Sequence, residues 1–548
     1  MASQLRTQSI AAPGFYGLNL QESSITLSSG FALKAQNCVI DKYGRIGARR
    51  GWTAINATST DLGSNPIEFL FEMIDGGSNE VISAGNDKLF VGTTTLTTKT
   101  VRNADNSGNA SYTISGNNWQ GAAISYGDIN DFNPHVYMAQ AGHPMLLYHE
   151  LPTSGGAFHA HDSGTFGFQR VGDAATLPAN HSTSTFAPSW VLSAYGRIWC
   201  GGITGDTQTV YFSDLLHGTD FLNGSAGYLN LQEVLPNGDS IVGAAAHNGF
   251  IIFFGKKNIA VYANPLSPAD MLLQDTIYNV GCIARDSIQN IGTDVLFLSD
   301  GGVRSLQRVI QEKSLPMRDV SKNIRDEFMA NVSSETDLTK IKSIYYEKDA
   351  FYLLTLPTTK FVYCFDTRGA LQDGAARVTI WDNVEPKAFY VTQAKELLIG
   401  KPSYIGKYYG YSDNGSTYRL QYYTNYFDFD ASTALKILKK IGFVLIGGTQ
   451  QSVAIKWGFD YTESYQATTY TLDNAVVYEY NNSTTDTIAG STEYNIAEYT
   501  SGIVLDRFSI NAGGQGTVMQ LGIEADINGN PLSIQKIDVA IKTGKTLV

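Results

Sequence analysis

Charged side chains are scarce in this chain. Only 16% of its 548 residues are Asp, Glu, Lys or Arg, whereas an average soluble protein has about 25%. Acidic residues outnumber basic ones, the formal net charge is −12 and no polybasic tract occurs. This argues against tight binding to nucleic acid, because phosphate contacts need clustered Lys and Arg. It leaves open a surface along which DNA slides without sticking, since like charges repel.

Long apolar runs are also missing. No stretch approaches the roughly 18 apolar residues that a membrane-spanning helix needs. The first twenty residues contain no apolar core of a signal peptide. We therefore expect a protein that is neither inserted in a membrane nor secreted by the usual route.

Cysteine is rare, and no CxxC pair occurs, which argues against a zinc knuckle or a redox motif. The four cysteines are Cys38, Cys200, Cys282 and Cys364. Each lies in a strand-like segment such as RIWCGG or FVYCFD. We predict that all four are buried free thiols, in keeping with synthesis in a reducing cytoplasm.

The common enzyme motifs are absent as well. The sequence contains no GxSxG elbow, P-loop, HExxH helix or dinucleotide-binding GxGxxG between a strand and a helix. It therefore predicts no catalytic residue, no metal site and no cofactor, and we expect a protein that is not an enzyme.

The chain does contain a repeated pattern, in which an apolar strand, a tight polar turn and a second apolar strand follow one another. Its 54 Gly and 31 Tyr residues fit an all-β protein rich in hairpins. Gly, Asn and Asp tolerate the positive φ that two-residue hairpin turns need. The predicted hairpins are 81–92, 191–202, 243–262, 295–308 and 343–356.

Hairpins in series must bury their faces on one another, and radial stacking into a propeller is one solution. We predict a β-propeller over residues 56–425, with an insertion zone at about 100–185. Residues 1–55 are predicted as an N-terminal β segment packing on the platform. Alternating strands over 426–548 predict a C-terminal β-sandwich-like domain, whose Tyr-, Thr- and Asn-rich stretch 464–500 is a mobile or partner-contacting loop.

One helix is predicted, over residues 319–332. Val320, Ile324 and Phe328 recur at a spacing of four and share one face. Asp319 or Ser321 is expected to cap its start.

Three features are weighed as functional sites. His159, His161 and Asp162 have the spacing of metal ligands on a strand, but no further ligand is evident, and surface-loop histidines are the favoured interpretation. In YSDNGSTY (411–418), Asp413 and Gly415 approach the aspartate turn of sialidase-type propellers, which indicates a folded Asx-type turn.

The carboxylates Asp428 and Asp430 are the third feature, and we place them on one strand face. Such a pair serves glycoside hydrolysis or Ca²⁺ binding when correctly spaced. A solvated edge strand is the simpler interpretation.

The same solvated-edge interpretation is given to the arginine cluster Arg45, Arg49 and Arg50.

Four segments in order resemble the tail nozzle proteins of short-tailed bacteriophages, which include the tail tubular protein B type and the tail stabilisation proteins. In the opening segment the matching residues are Asn37, Asp41, Gly44, Arg50 (displaced by one from Arg49), Gly51 and Trp52. The other segments are IIFFGKKNIAVYAN (251–264), LFLSDGGVRSLQR (296–308) with the stretch 340–368, and FDFDASTALKILKKIGFVLIGG (427–448).

The resemblance implies a structural role in the virion. Six copies would form a ring, a homohexamer, below the portal and its adaptor ring, and would conduct DNA during ejection without binding it specifically. Tail fibre or spike proteins are further implied partners, and membrane insertion is not expected. The localisation implied is the viral tail, after synthesis in the cytoplasm of the bacterial host. The alternative is a tail-associated propeller that binds or hydrolyses glycans.

Overall fold

The computed structural model describes most of the chain, and its β-propeller is joined to a C-terminal β-sandwich. The described residues are 5–24, 27–75, 79–102, 112–124, 134–151, 166–172, 175–236, 238–306, 320–431, 433–448, 450–462, 464–472 and 503–546.

The N-terminal segment contributes short strands to three different sheets. They are β1 (Leu5–Ala11), β2 (Gly17–Leu18), β3 (Phe31–Gln36), β4 (Cys38–Ile40), β5 (Ile46–Ala48) and β6 (Trp52–Ala54). Strands β1, β4 and β5 join a seven-stranded sheet, β2 and β3 join a ten-stranded sheet, and β6 completes a sheet of the propeller. The segment therefore connects the propeller to the sandwich.

Five sheets of the propeller follow one another along the chain. The first sheet contains β7 (Phe69–Met73), β8 (Glu80–Gly85), β9 (Lys88–Val91) and β10 (Thr97–Lys99), and the second contains β11 (Val101–Arg102), β12 (Gln120–Ile124), β13 (His135–Gln140), β14 (His143–Glu150) and β15 (Phe166–Arg170). The third contains β16 (Trp190–Ala194), β17 (Arg197–Ile203), β18 (Asp206–Phe212) and β19 (Gly227–Asn230), and the fourth contains β20 (Ile241–His247), β21 (Phe250–Gly255), β22 (Ile259–Ala263) and β23 (Leu272–Ile277). The fifth contains β24 (Gln289–Asn290), β25 (Val295–Ser299) and β26 (Gly302–Ser305).

Two further groups of strands close the ring. They are β27 (Lys342–Tyr346), β28 (Phe351–Leu356), β29 (Phe361–Asp366) and β30 (Arg377–Trp381), which open the ten-stranded sheet, and β31 (Ala388–Val391), β32 (Leu397–Lys401) and β33 (Tyr404–Tyr408), which pair with β6. The innermost strands are neighbours in the order β7, β12, β16, β20, β24, β27 and β31, and β31 lies beside β7 again. Pairing of β6 with β33 joins the start of the chain to the last sheet of the ring.

The predicted hairpins are confirmed where the structure describes them. Strands β8–β9, β16–β17, β20–β21, β25–β26 and β27–β28 pair antiparallel at the expected positions. Asn86 and Asp87 both have φ of 52°, as a type I′ turn requires.

The segment 100–185 is not an insertion between sheets, because strands β11 to β15 form a sheet of the ring there. Its sequence conceals the strands, since 17 residues separate β11 from β12, 10 separate β12 from β13 and 15 separate β14 from β15. A hairpin is recognised in a sequence by the short turn between its strands, so strands joined by longer connections are not recognised as paired.

Two sheets pack face to face in the sandwich. Its strands are β34 (Tyr418–Thr424), β35 (Ala434–Gly448), β36 (Ser452–Phe459), β37 (Gln466–Thr471), β38 (Ile503–Asn511), β39 (Gln515–Gly516), β40 (Met519–Ile527) and β41 (Leu532–Thr546). The first sheet runs β38-β35-β41-β5-β4, with β1 on β41 and β39 on β35. The second continues the propeller sheet in the order β30-β3-β34-β40-β36-β37. A shared sheet thus runs without a break from propeller to sandwich.

The predicted helix is present but begins later. A 3₁₀ turn at Lys322–Ile324 leads into α1 (Arg325–Ser333). Val320, Ile324 and Phe328 are buried as expected, and the Phe328 ring meets Tyr363 edge-on. Ser321 accepts a hydrogen bond from the Val303 amide at 3.0 Å and does not cap the helix. Asp319 lies outside the described residues.

Further 3₁₀ turns stand at three connections, namely Pro268–Asp270, Arg285–Ser287 and Leu338–Lys340. Among the described residues, none of the helices is long and apolar enough to cross a membrane.

Candidate functional site at the junction of propeller and sandwich

The segment between β4 and β6 crosses from the sandwich into the propeller, and Arg49 lies at its centre. The Arg49 side chain is fully buried and donates two parallel hydrogen bonds to the Asp413 carboxylate, from Nη1 to Oδ1 at 2.8 Å and from Nη2 to Oδ2 at 2.7 Å. Its guanidinium also stacks 4.0 Å from the centre of the Tyr418 ring. Burial alone would lower the pKa of Arg49, but the hydrogen bonds and charge of Asp413 outweigh burial and raise it. The pair therefore remains ionised and fixed.

Asn37 extends this junction to two further strands. Its backbone takes φ of 54°, a left-handed conformation that Asn tolerates better than most residues. Its Oδ1 accepts from Arg49 Nε at 2.9 Å and from the Asp382 amide at 3.0 Å. Its Nδ2 donates to the Arg419 carbonyl at 2.8 Å and to the Asp382 carboxylate. One side chain thus joins strands of both parts of the molecule.

Gly51 occupies a place where no side chain fits. A Cβ there would lie 1.9 Å from the carbonyl oxygen of Ser412, because the two backbones run in contact. The next residue, Trp52, packs into the last sheet of the ring, where the Lys401 ammonium lies 4.9 Å from its ring. Burial lowers the pKa of Lys401 to about 8.

Asp41 and Gly44 build the turn between β4 and β5. The Asp41 Oδ1 accepts from the amides of Tyr43 and Arg45 at 2.8 and 2.9 Å, and Oδ2 bonds Arg45 Nε at 2.6 Å. Gly44 has φ of 74°, and a Cβ there would lie 2.6 Å from Pro13. The opening-segment residues that carry the resemblance therefore all have a structural role near this junction, apart from Arg50.

The solvated-edge interpretation of the arginine cluster is wrong for Arg49, which is buried, and Arg45 is paired with Asp41. The sequence did not reveal this because the partner of Arg49 lies 364 residues away. Asp413 does stand in a folded turn, in which its amide and the Ser416 amide each reach the other residue's carbonyl. Its carboxylate, however, binds Arg49 and does not form the expected Asx-type turn.

Asp428 and Asp430 do not share a strand face. They lie in a turn in which Phe429 and Asp430 have φ of 53° and 55°, and the Asp430 amide donates to Asp428 Oδ1 at 3.1 Å. Phe427 and Phe429 are the buried residues of this segment. The apolar pair anchors the turn, and the geometry is not that of a carboxylate pair aimed at a substrate.

The predicted thiols are confirmed: all four cysteines are free and buried, and burial raises the pKa of each. His159, His161 and Asp162 lie outside the described residues. In the described part of the chain, no group of three or more His, Cys, Asp or Glu side chains could hold a metal ion.

Sequence reasoning missed a buried ion cluster among the innermost strands of the propeller. Arg285 donates to the Ser189 carbonyl at 2.6 Å and to Asp286 Oδ2 at 2.8 Å, and Lys342 meets the same carboxylate oxygen at 2.6 Å. Burial would raise the pKa of Asp286, but the two cations lower it. The cluster borders a cavity of about 190 Å³ between the inner strands. No pattern near Arg285 or Lys342 signals that they meet.

A second missed cluster surrounds Glu524 on the ten-stranded sheet. Lys456 Nζ lies 2.8 Å from its carboxylate, and Arg419 and Tyr423 also donate to it. Burial would raise the pKa of Glu524, yet the bonds from Lys456, Tyr423 and Arg419 lower it to about 2.

A cleft of about 680 Å³ opens beside the junction, between the propeller turn 347–350 and the sandwich. Its charged lining comprises Lys42, Arg45, Arg50, Lys348 and Arg368, with Asp41 and Asp349 as the acidic members. Arg45 and Arg368 are neutralised by Asp41 and Asp366. Within the described residues, no hydrogen bond or ion pair engages the side-chain cations of Arg50 and Lys348. The cleft is therefore electropositive on an acidic protein.

No protein-family model matches the chain, and no curated protein matches it. Solved structures do show likeness to it at low similarity. PorZ, a surface component of the type-IX secretion system of Porphyromonas gingivalis, has 10% identity and a TM-score of 0.33, over 65% of this chain and 37% of PorZ. The extracellular domain of a putative one-component system from B. thetaiotaomicron has 9% identity and a TM-score of 0.26, over 66% of this chain and 40% of that domain.

The chain spans well under half the length of these two proteins. At such scores the likeness carries no argument about function. The propeller assignment rests on the ring of sheets itself.

Proposed function

We propose that this protein is a structural subunit of a bacteriophage tail. Copies of it form the ring-shaped nozzle below the portal and adaptor ring, and DNA passes through that ring during ejection without specific binding. Six copies complete the ring, and tail fibre or spike proteins attach to it. The protein belongs to the virion tail, is made in the host cytoplasm, inserts in no membrane, uses no cofactor and catalyses no reaction.

The observation that carries this proposal is the junction. Asn37, Arg49 and Asp413 fix the sandwich against the propeller through buried, fully directed bonds. A shared sheet crosses the same boundary. A subunit of a conduit must transmit force between its parts without hinging, and a bidentate buried pair resists hinging better than a flexible linker. One of these three residues, Asn37, also belongs to the opening segment that resembles tail nozzle proteins.

The charge distribution supports the same role. A net charge of −12 disfavours adhesion of DNA to the wall of a channel. Few charges and many tyrosines suit a chain with much of its surface against neighbours, because the cores of interfaces are poor in charge and rich in aromatic residues.

Light scattering coupled to size exclusion tests the proposal, on the full chain alone and with the adaptor ring. We expect a closed ring in at least one condition, and we expect the protein in purified phage particles, located by a label at the tail tip. A chain that stays monomeric in both conditions and is missing from particles would overturn the proposal.

The glycan alternative is tested on the same preparation. The structural role predicts no cleavage of host surface glycans, and it predicts that Asp428→Asn and Asp430→Asn leave ring formation unchanged. Cleavage that disappears in either variant would replace the structural proposal with a hydrolase.

A further inference from the structure

The cleft beside the junction contains three charged side chains that are not bonded to other parts of the protein. Among the described residues, no hydrogen bond or ion pair engages the Arg50 guanidinium, the Lys348 ammonium or the Asp349 carboxylate. The other charged side chains of the lining, apart from Lys42, are in ion pairs. Polar groups that converge in a concave surface and are not bonded within the protein are the groups that orient a ligand.

Arg50 is held in position by its backbone. Its amide donates to the Tyr408 hydroxyl at 3.2 Å, and its carbonyl accepts from Arg49 Nη1 at 3.0 Å. The next residue, Gly51, lies directly against the backbone of Ser412 and leaves no room for a shift. A cation on so rigid a backbone loses less entropy on ligand binding than one on a mobile loop.

Arg50 and Asp349 share one part of the cleft, as their effects on two phenols show. Burial raises the pKa of Tyr411, a lining residue, while the Arg50 charge lowers it and the Asp349 charge raises it. Burial also raises the pKa of Tyr346, where Asp349 again raises it and Arg50 lowers it. The pKa of Tyr411 is raised on balance, so its hydroxyl stays protonated and can donate a hydrogen bond.

These groups together suit a ligand that carries both a carboxylate and hydroxyl groups. The planar guanidinium of Arg50 matches a carboxylate, and Lys348 adds a second positive charge. Asp349 only accepts hydrogen bonds when ionised, so it suits a hydroxyl donor and repels a bare anion such as phosphate. The cleft of about 680 Å³ also falls within the range of about 300–1,000 Å³ that small-ligand pockets occupy.

We propose that the cleft binds an acidic sugar, such as a uronic acid or a sialic acid within a polysaccharide. The sugar carboxylate pairs with Arg50 and Lys348, and sugar hydroxyl groups donate to Asp349 and accept from Tyr411. The sugar is bound and not cleaved, because hydrolysis uses two carboxyl groups and the other acid of the lining, Asp41, is held in an ion pair. The inference goes beyond the proposed function, since the site lies within one copy.

Saturation-transfer NMR on the full chain tests the inference, with glucuronic acid, galacturonic acid and N-acetylneuraminic acid as probes. Glucose and galactose are the matched neutral sugars, and inorganic phosphate is the anion without a sugar. We expect at least one acidic sugar to bind about tenfold more tightly than its neutral counterpart and than phosphate, because only the acidic sugars offer a carboxylate and hydroxyl groups together.

Two variants assign the binding to the cleft. Arg50→Gln should weaken binding of the acidic sugar about tenfold, and Lys348→Gln should weaken it by a smaller factor. Lys439→Gln is the matched control variant, since Lys439 is an exposed lysine outside the cleft, and it should bind like the wild type. Circular dichroism should show all three variants folded. If Arg50→Gln loses its fold, Lys348→Gln decides, because that side chain is exposed.

Three results would each overturn the acidic-sugar site. They are acidic sugars that bind no more tightly than neutral ones, phosphate that binds as tightly as the acidic sugars, and cleft variants that bind like Lys439→Gln. Ring formation is measured separately by light scattering, so a failure of the sugar site and a failure of the proposed function are distinguishable.

Discussion

Arg49 and Arg50 are consecutive, yet they belong to two regions with opposite character. Arg49 is fully buried, and each edge of its guanidinium meets an oxygen of Asp413, Asn37 or a backbone carbonyl. Arg50 points into an open cleft with no carboxylate partner among the described residues. A basic cluster therefore has no single role, because the position of the carboxylates in the fold decides that Arg49 holds the structure while Arg50 lines an open cleft.

The junction should break most severely when the Arg49 partner is removed. Asp413→Ala leaves a buried, uncompensated guanidinium, and we expect a loss of about 3–5 kcal/mol in the free energy of unfolding. Urea denaturation measures it. Asp526→Ala is the control, because its pair with Arg419 at 3.5 Å is exposed and should cost at most about 1 kcal/mol. Equal losses in the two variants would contradict the structural role of the junction.

The close backbone contact at Gly51 provides a second test of the junction. Gly51→Ala places a methyl group 1.9 Å from the Ser412 carbonyl oxygen, so the two backbone segments must move apart. We expect a loss of about 1–3 kcal/mol, typical of overpacking. Gly369→Ala, with nothing within 4 Å, should leave the midpoint of thermal unfolding unchanged.

The Glu524 cluster predicts a pH dependence. The folded protein lowers the pKa of Glu524 from 4.5 to about 2. Its contribution to the free energy of unfolding is therefore complete above about pH 4.5 and is lost as the pH falls toward 2. Arg419 is half exposed, and solvent screening reduces the effect to roughly 1–2 kcal/mol. Glu524→Gln should flatten the stability curve over this range. An unchanged slope would mean that the cluster is not coupled to folding.

Arg50 should give the smallest effect on stability. Arg50→Ala removes a cleft cation without a partner, and we expect a change within about 0.5 kcal/mol in the free energy of unfolding. A loss comparable to that of Asp413→Ala would show that Arg50 belongs to the junction after all.

Much of the architecture could be predicted from local patterns. The hairpins of 81–92 and 191–202 were visible because two-residue turns and apolar alternation are short-range signals. The sheet formed by β11 to β15 was not, since its strands are separated by long polar connections. The buried state of the cysteines was also predictable from their apolar surroundings.

The candidate site was predictable in part. The sequence placed Asp413 in a turn, and the resemblance singled out Asp41 and Gly44. Their place in one junction was not visible, because Arg49 and Asp413 are 364 residues apart in the chain. Asp428 and Asp430 were misplaced for a related reason: burial of Phe427 and Phe429 requires a turn in which the alternation of a strand does not apply.

The sequence by itself determined that this chain folds as hairpins, carries an excess of negative charge and keeps its thiols apart. Those are properties of neighbouring residues and of composition. Only the tertiary structure decided that the first fifty residues connect propeller and sandwich, and that Arg49 is buried while Arg50 lines an open cleft. Such pairings depend on closure of the ring by β6, a contact between distant parts of the chain that no local pattern encodes.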